Sequence, residues 1–246
     1  MFDPFGDFES AGYLRNVERL KDADEIKLQE HLFFEANIEQ AMDFLAGIRR
    51  EISYPDFLKV HSILFEEFYP WAGRDRWQLN VGRLVGKGEG LQFEASELCQ
   101  RAVEWGLSMG NNPRTMNTQP GKVMGAFAWG HPFLDGNGRT MLLVHSELCH
   151  RAGISINWAA TRKSAYLRAL TNELLTPQHQ PLDVYLRPFV APASGKGSLL
   201  DRLLALPGLD GRSGGAEIDV AYAADDAQAQ QGYLDMKRSR GELGPY

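Results

Sequence analysis

The stretch at residues 121–153 constrains the fold most, because two strongly apolar segments flank a glycine-rich turn. GKVMGAFAWG (121–130) carries apolar residues on neighbouring helical faces. RTMLLVHSELCHRAG (139–153) is apolar on nearly every face and has Gly153 where a helix C-cap is expected. A helix that is apolar all round is typical of a buried position. The sequence therefore predicts an all-α fold built around a buried central helix.

Helical periodicity extends along most of the chain, since apolar residues recur at a spacing close to that of an α-helix. The pattern predicts helices at 22–50, 56–68, 94–108, 121–130, 139–152, 162–174 and 182–187. The exception is 76–93, where Trp77, Leu79 and Val81 alternate with polar residues and the turn GKGEG follows. This pattern predicts a β-hairpin flap over 76–93, which we expect to lie against the helical body because an isolated hairpin is marginal.

Length and composition divide the chain into three parts. A chain of 246 residues is long enough for one large domain with a tail. We predict an irregular N-terminal arm at 1–17 and a helical domain at 18–190. Residues 191–246 combine a linker-like stretch with a segment rich in Gly, Ala, Asp, Gln and Ser, which predicts a linker and a weakly structured C-terminal tail.

Charge and cysteine content limit the partners and the compartment. A net charge of −6 and a pI of about 5.6 argue against a general basic surface for nucleic acid. No apolar run approaches the roughly 20 residues that span a bilayer, and the acidic N-terminus lacks the features of a signal peptide. Cys99 and Cys149 lie in helical stretches, so reduced thiols are expected. We therefore predict a cytoplasmic protein with no nucleic-acid partner and no membrane span; export by a dedicated secretion system stays open.

The turn between the apolar segments, HPFLDGNGRT (131–140), concentrates residues with chemical functions. His131 titrates near neutral pH and can take a proton, and Asp135 offers the hard oxygen ligand that suits Mg²⁺. Gly136 and Gly138 let the backbone approach a ligand, and the N–H groups that start the next helix favour an anion. Arg139 adds a permanent cation suited to phosphate. The turn therefore predicts transfer of a phosphate-containing group to a hydroxyl.

A simpler interpretation is a helix–turn–helix joint in which His131 is an ordinary capping residue. Glycine and aspartate are common in turns. The combination of His131, Asp135, Asn137 and Arg139 in one short loop favours a functional site over a plain joint.

The segment HPFLDGNGR (131–139) resembles the signature of the Fic family, His-Pro-Phe-x-Asp/Glu-Gly-Asn-Gly-Arg. Upstream, HSILFEEFYPWAGRDR (61–76) is similar to the Tyr-Pro-Trp-Ala-Gly-x-x-Arg segment that precedes the flap in that family. The resemblance extends over roughly residues 10–190. It implies a Fic-type helical bundle with a small β-hairpin flap.

The resemblance also implies an activity, since Fic enzymes mostly transfer AMP from ATP to a Ser, Thr or Tyr hydroxyl of a target protein. His131 would be the general base, Asp135 would hold Mg²⁺ against the α- and β-phosphates, and Phe133 would anchor the loop. The anion hole for the β- and γ-phosphates would consist of Gly136, Asn137, Gly138 and Arg139. The flap would hold the target by strand addition through Arg83, Leu84, Val85, Gly86 and Lys87.

Leu142 departs from the family pattern, because many Fic enzymes carry there a second arginine that grips the γ-phosphate and pairs with an inhibitory glutamate. Either Arg114, Lys122 or Lys163 replaces that cation, or triphosphate binding is weaker. A third reading is that the donor is UTP, GTP or CDP-choline rather than ATP. A catalytically weak nucleotide-binding interaction module is a further alternative.

Two other comparisons with the family concern the reaction and its control. The kinase-like Doc branch has Lys in place of Gly138 and Ala in place of Gly136, so these glycines favour nucleotidyl transfer over γ-phosphate transfer. The inhibitory motif Ser/Thr-x-x-x-Glu-Gly/Asn has no match, since SGGAE (213–217) is followed by Ile218. Control would then come from a regulatory or antitoxin partner or from the C-terminal tail, or be absent.

Overall fold

The computed structural model describes residues 3–88, 91–193, 220–223 and 227–243. Within these ranges, ten α-helices and five short strands confirm the predicted all-α fold with a small β element. The helices are α1 (Phe8–Ala11), α2 (Ala23–Gly47), α3 (Tyr54–Phe65), α4 (Cys99–Gly110), α5 (Pro113–Thr118), α6 (Pro120–Gly130), α7 (Asn137–Arg151), α8 (Lys163–Leu175), α9 (Pro181–Leu186) and α10 (Ala227–Ser239). The strands are β1 (Leu84–Lys87), β2 (Leu91–Gln92), β3 (Ile154–Ile156), β4 (Val190–Pro192) and β5 (Val220–Ala223).

Helices α6 and α7 form the centre of the fold, as their apolar sequences predict. Every residue of α6 except Lys122 is buried. Helix α6 packs against α4, α7, α8 and α9, whereas α7 packs against α2, α3, α5 and α6. At the start of α6, the Asp183 carboxylate from α9 accepts hydrogen bonds from Gly121 N (2.6 Å) and Lys122 N (3.1 Å). This contact satisfies N–H groups that have no partner within the helix.

Arg151, in the last turn of α7, ties that helix to the end of α2. Its guanidinium donates to the carbonyl oxygens of Leu45 (3.0 Å), Ile48 (2.8 Å) and Arg50 (2.8 Å). Ile48 and Arg50 follow the last residue of α2, and carbonyl groups beyond a helix end have no intrahelical donor, so Arg151 supplies donors there. These bonds hold α2 alongside α7.

The N-terminal arm, predicted to be irregular over 1–17, contains the one-turn helix α1 and is attached to the domain. Tyr13 and Leu14 are buried. The Asn16 amide donates to Tyr13 O and Leu20 O, both at 2.9 Å. Val17 N donates to Phe68 O (2.9 Å), so the arm packs against the body of the domain.

The flap strands are shorter than predicted. Strands β1 and β2 pair antiparallel, with Gly86 opposite Gln92 and Lys87 opposite Leu91. The predicted strand through Trp77, Leu79 and Val81 is wrong, because that segment forms turns.

The Asp75 side chain explains these turns. Its carboxylate accepts a hydrogen bond from Gln78 N (2.8 Å), its backbone carbonyl accepts one from Leu79 N (3.0 Å), and Asn80 follows in a left-handed conformation with φ 52°. A local bond from an aspartate to the backbone competes with strand pairing. The alternation of apolar residues is therefore not converted into a strand, and Trp77 is left 62% exposed.

The prediction of a weakly structured tail at 191–246 is wrong for the described part of that segment. Residues 220–223 form β5, and α10 buries Ala229, Tyr233 and Met236. These three positions lie on one helical face, but the stripe is too short to stand out in a polar segment. Most of the linker-like stretch 191–198 and all of SGGAE (213–217) lie outside the described residues.

The two small sheets have different partners. In the first, the strand order is β2-β1-β5, so β5 pairs antiparallel with the second edge of β1. In the second, β3 pairs antiparallel with β4. The sequence pattern does not predict β3, β4, β5 or α5.

Cys99 and Cys149 are buried free thiols, as predicted. Among the described ranges, none of the helices combines the length and the apolarity that crossing a bilayer requires.

Candidate active site

His131 lies directly after α6, in the loop that leads to α7. Its backbone is left-handed (φ 39°), a conformation that costs energy for a residue other than glycine and often occurs at functional sites. Its half-buried imidazole stacks on the Phe93 ring, with the ring centroids 3.9 Å apart. On the loop side, Asn137 Nδ2 lies 3.3 Å from His131 Nε2. The ring is therefore held between the flap and the start of α7.

Arg76 is a fully buried cation that fixes the backbone around His131. Its Nε donates to His131 O (2.7 Å), and its backbone N donates to Pro132 O (2.8 Å). Its Nη2 donates to Glu94 O (2.8 Å) and Gly130 O (3.3 Å). One side chain thus joins the end of α6, the loop and the end of the flap.

The surroundings of His131 favour its neutral form. Burial lowers the pKa of His131 well below its ordinary value, and the cations Arg76 and Lys87 lower it further. Lys87 ends β1, so its charge reaches the imidazole from the flap. A neutral imidazole has one unprotonated nitrogen that can accept a proton.

His61, from α3, contacts the loop through Asp135 and Phe133. Gly73 N donates to His61 Nδ1 (2.9 Å), so Nδ1 is unprotonated and Nε2 donates to Asp135 O at 3.0 Å. Its ring stacks on Phe133, with centroids 3.8 Å apart. Burial lowers the pKa of His61 to about 3, so the ring stays neutral and fixed in this tautomer.

The loop is closed by its own side chains. Phe133 is fully buried, which is the position expected of an anchor. Its N–H donates to Asn137 Oδ1 (2.9 Å), and Asn137 Nδ2 donates to Phe133 O (2.7 Å). Gly136 has φ 73°, and a Cβ there would lie 2.5 Å from the Phe65 ring. Glycine is therefore required at that turn.

The N-terminus of α7 adjoins the same loop. The first N–H groups of the helix, at Asn137, Gly138 and Arg139, have no acceptor within the helix and carry the positive end of its dipole. A Cβ built at Gly138 would meet no neighbouring atom within 4 Å. The helix therefore presents anion-binding groups to open space.

The guanidinium of Arg139 is held by Glu30 from α2. Arg139 Nη2 lies 2.5 Å from Glu30 Oε1, and the guanidinium carbon stands 4.8 Å from the centre of the Phe65 ring. Glu30 is only 3% exposed. Burial raises the pKa of the Glu30 carboxyl to about 8, against the opposing effect of Arg139. Above about pH 8, where this carboxyl group is ionised, it therefore competes with any anion for the Arg139 cation.

Asp135 is the residue of the loop that suits a metal ion. Its side chain is 42% exposed, and Oδ1 lies 2.6 Å from Gly136 N and 3.7 Å from Arg139 Nη2. The described ranges contain no group of three or more His, Cys, Asp or Glu side chains that could hold a metal. A single open carboxylate beside an anion-binding helix end fits Mg²⁺, which is often held by one or two carboxylates together with phosphates and waters.

The residues predicted to dock a target lie in β1 and just before it. Leu84, Val85 and Gly86 are buried, whereas Arg83 and Lys87 are exposed. Arg83 forms an ion pair with Glu97 at 2.7 Å. The chain thus brings the predicted flap residues to the side of the loop on which Phe93 stacks against His131.

Residues 51–149 match the model of the Fic/DOC family. This segment belongs to the Fic/DOC family. The Fic domain so defined contains Arg76, the flap strands β1 and β2, and the whole loop from His131 to Arg139. The resemblance inferred from the sequence is confirmed over these residues.

Two curated relatives are similar to the chain beyond this segment. Protein adenylyltransferase VbhT of Bartonella schoenbuchensis is 26% identical over 170 residues, which cover 68% of this chain and 35% of VbhT. The probable protein adenylyltransferase y4lH of Sinorhizobium fredii is 24% identical over 165 residues, which cover 64% of this chain and 81% of y4lH. The chain therefore spans about a third of the first relative and most of the second.

A solved structure shows the same fold. The VirB-translocated effector protein BepC from Bartonella tribocorum, crystallised with bound AMPPNP, superposes with a TM-score of 0.58 at 17% identity. The match covers 76% of this chain and 96% of that chain. At this identity the comparison establishes the shared helical architecture.

Glu30 and Phe93 contact the site but are not identified by the sequence analysis. For Glu30 a signal exists: with Ile26 and Phe34 it forms one face of α2 at four-residue spacing, so a carboxylate stands among apolar residues. A buried carboxylate is normally paired with a cation or a hydrogen-bond donor, so an acidic residue on an apolar helix face indicates a contact with such a partner. No comparable signal exists for Phe93, because its contact with His131 depends on the path of the flap.

Proposed function

We propose that the Fic domain transfers AMP from ATP to a Ser, Thr or Tyr hydroxyl of a target protein. The observation that carries this proposal is the neutral, half-buried imidazole of His131 beside the open N-terminus of α7. The names of the two adenylyltransferase relatives support AMP as the transferred group. The AMPPNP bound to BepC supports nucleotide binding by this fold.

His131 would act as the general base. Its neutral ring takes the proton of the target hydroxyl while the hydroxyl oxygen attacks the α-phosphorus of ATP. A phosphorus–oxygen bond to the target forms, the bond to the leaving pyrophosphate breaks, and the proton ends on the imidazole. The lowered pKa of His131 keeps the base unprotonated before the reaction.

The start of α7 would bind the charge that develops on pyrophosphate. Donors fixed in advance at that position stabilise the transition state without reorganisation. The donors are the N–H groups of Asn137, Gly138 and Arg139 together with the Arg139 guanidinium. Asp135 would hold Mg²⁺, which neutralises phosphate charge when bound. The open space at Gly138 is compatible with a phosphate group there.

The flap would position the target. A target backbone added to β1 would be held by main-chain hydrogen bonds, which make little demand on sequence. Phe93 and Lys87 connect the flap to His131, so a segment paired with β1 would lie close to the base. Correct positioning of the hydroxyl accounts for a large part of the rate enhancement in such transfers.

Leu142 stands where many Fic enzymes have a second arginine. The nucleotide donor therefore depends on which other group holds the triphosphate. Lys122 stands at the opposite end of α6 from His131, with its ammonium 5.6 Å from the Trp105 ring centre. Arg114 lies in α5, whose Asn117 contacts Ala152 O just beyond the C-terminus of α7. Arg139 is therefore the cation that the loop supplies, and UTP, GTP and CDP-choline stay alternatives to ATP.

A panel of donors tests the proposal. Purified protein and a cell lysate are incubated with Mg²⁺ and, separately, ATP, GTP, UTP, CTP or CDP-choline, and adducts are identified by mass spectrometry. We expect an adenylyl adduct with ATP that is lost when EDTA removes the metal. An adduct from another donor would overturn AMP as the transferred group. Nucleotide binding without any adduct would favour the interaction module.

Glu30→Gln is expected to tighten ATP binding about tenfold, which corresponds to about 1.4 kcal/mol. At pH 9 the Glu30 carboxyl, whose pKa is about 8, is ionised and competes for Arg139, whereas the amide carries no charge and leaves the guanidinium available to phosphate. Isothermal titration with ATP and Mg²⁺ at pH 9 measures the change. Glu39→Gln is the matched control, because Glu39 is exposed on the same helix. Equal or weaker affinity in Glu30→Gln would show that Glu30 orients Arg139 for the phosphate rather than competing with it.

A further inference from the structure

Both edges of the flap strand β1 are paired. Strand β2 occupies one edge. Strand β5 occupies the other edge along the whole of β1, with Leu84 opposite Ala223 and Lys87 opposite Val220. A strand can accept a neighbour only at an edge whose N–H and C=O groups are unpaired. Within the described part of the chain, β1 therefore has no edge left for a target backbone.

Helix α10 holds the segment that contains β5 against the flap. It begins four positions after the last residue of β5 and contacts both β1 and β2. It is attached through Glu94, which accepts a hydrogen bond from the Tyr233 hydroxyl and lies 3.0 Å from Lys237 Nζ. Burial alone would raise the pKa of Glu94, but Tyr233 and Lys237 hold it below its ordinary value. The attachment is therefore a buried, ionised carboxylate with two partners on α10, and the same carboxylate accepts hydrogen bonds from Trp129 Nε1 and Ala95 N.

Glu94 also connects α10 to the elements that hold His131. Its carbonyl oxygen accepts the hydrogen bond from Arg76, and its N–H donates to Trp129 O (2.9 Å). The guanidinium carbon of Arg240, just after α10, stands 3.9 Å from the centre of the Trp129 ring. Helix α10 and Arg240 thus pack on Glu94 and Trp129, which adjoin the residues that hold His131.

We propose that residues 220–223 fill the target-docking edge of the Fic domain in cis, so that a target backbone binds only after β5 leaves. This inference rests on the proposed function, because it concerns the edge to which a target would be added. A four-residue strand pair is weak on its own. The attachment of α10 keeps β5 at a high effective concentration near β1. Strand β5 can leave the edge while α10 stays bound through Glu94.

The double variant Ala221→Pro/Tyr222→Pro tests the proposal. Successive N–H groups of a strand point to opposite sides, so one of the two prolines removes a donor to β1. The control Ala221→Val/Tyr222→Val changes the same side chains but keeps both N–H groups. Hydrogen–deuterium exchange of residues 84–87 is measured in all three proteins, and slow exchange of 227–239 verifies that α10 stays folded.

We expect slow exchange of 84–87 in the wild type and in the valine control, and exchange about tenfold faster in the proline variant. AMP transfer from α-labelled ATP to lysate proteins is expected to be about tenfold higher for the proline variant, since a target no longer competes with a tethered strand. Wild-type exchange as fast as that of the proline variant would overturn the pairing. Equal AMP transfer by all three proteins, each of them active, would overturn the proposal that β5 blocks target binding. Absence of transfer from all three contradicts the proposed function instead, and exchange still decides whether 220–223 fill the edge.

Discussion

Substitution of His131 by alanine is expected to lower the rate of AMP transfer by about 10²–10⁴-fold. The substitution removes the imidazole that is proposed to take the hydroxyl proton, whereas the N–H groups at the start of α7 remain in place. Single-turnover measurements with labelled ATP give the rate, and isothermal titration gives the affinity for nucleotide. We expect the affinity to stay close to that of the wild type. The His131 ring contacts the Phe93 ring and the Asn137 side chain, and it does not contact the backbone N–H groups proposed to bind phosphate. A wild-type rate in this variant would assign the base to another residue.

The pH dependence of the wild type reports on the same group. A general base acts only when it is unprotonated, so the rate falls as the pH drops through the pKa of His131. Burial and the cations Arg76 and Lys87 lower that pKa. The acid limb of the rate should therefore lie below the ordinary histidine pKa of about 6.5. An acid limb at or above that value would contradict the environment described for His131.

The centre of the site was predictable because its signals are local. The glycines and charged residues of 131–139 stand next to one another in the sequence, and the apolar pattern of α6 and α7 fixes the elements on either side. Phe133 could be assigned to the core for the same reason. Burial, helix ends and a tight turn act over a few residues, so sequence spacing is enough to place them.

The remaining contacts depend on tertiary packing. Glu30 meets Arg139 only because Arg151 and the apolar face of α2 bring α2 against α7. Strand β5 carries no alternation of apolar and polar residues, and it pairs with β1, far away in the sequence, as α10 attaches at Glu94. Such long-range contacts are absent from any short window of sequence. The prediction of a strand through Trp77, Leu79 and Val81 was wrong for the opposite reason. The alternation of apolar and polar residues is present there, but a local hydrogen bond to Asp75 stabilises turns instead.

Arg76→Leu is expected to destabilise the protein by about 3–5 kcal/mol, because it leaves buried carbonyl groups without donors. The guanidinium donates to the carbonyl oxygens of His131, Glu94 and Gly130, and leucine can satisfy none of them. Urea unfolding followed by circular dichroism measures the loss. Arg74→Leu is the matched control: Arg74 is exposed two positions earlier, so a change within about 0.5 kcal/mol is expected.

Arg76→Lys separates the charge of Arg76 from its geometry. Lysine keeps the positive charge but lacks the planar fork that reaches carbonyl groups in three directions. We expect intermediate stability and a loss of transfer rate that exceeds the loss of nucleotide affinity, because Arg76 holds the His131 backbone rather than the phosphates. If Arg76→Leu unfolds at the same urea concentration as Arg74→Leu, the three carbonyl bonds do not hold the loop. The left-handed conformation of His131 would then have to be maintained by other contacts, which include Asn137, Phe93 and the hydrogen bond from His131 N to Phe127 O (3.2 Å).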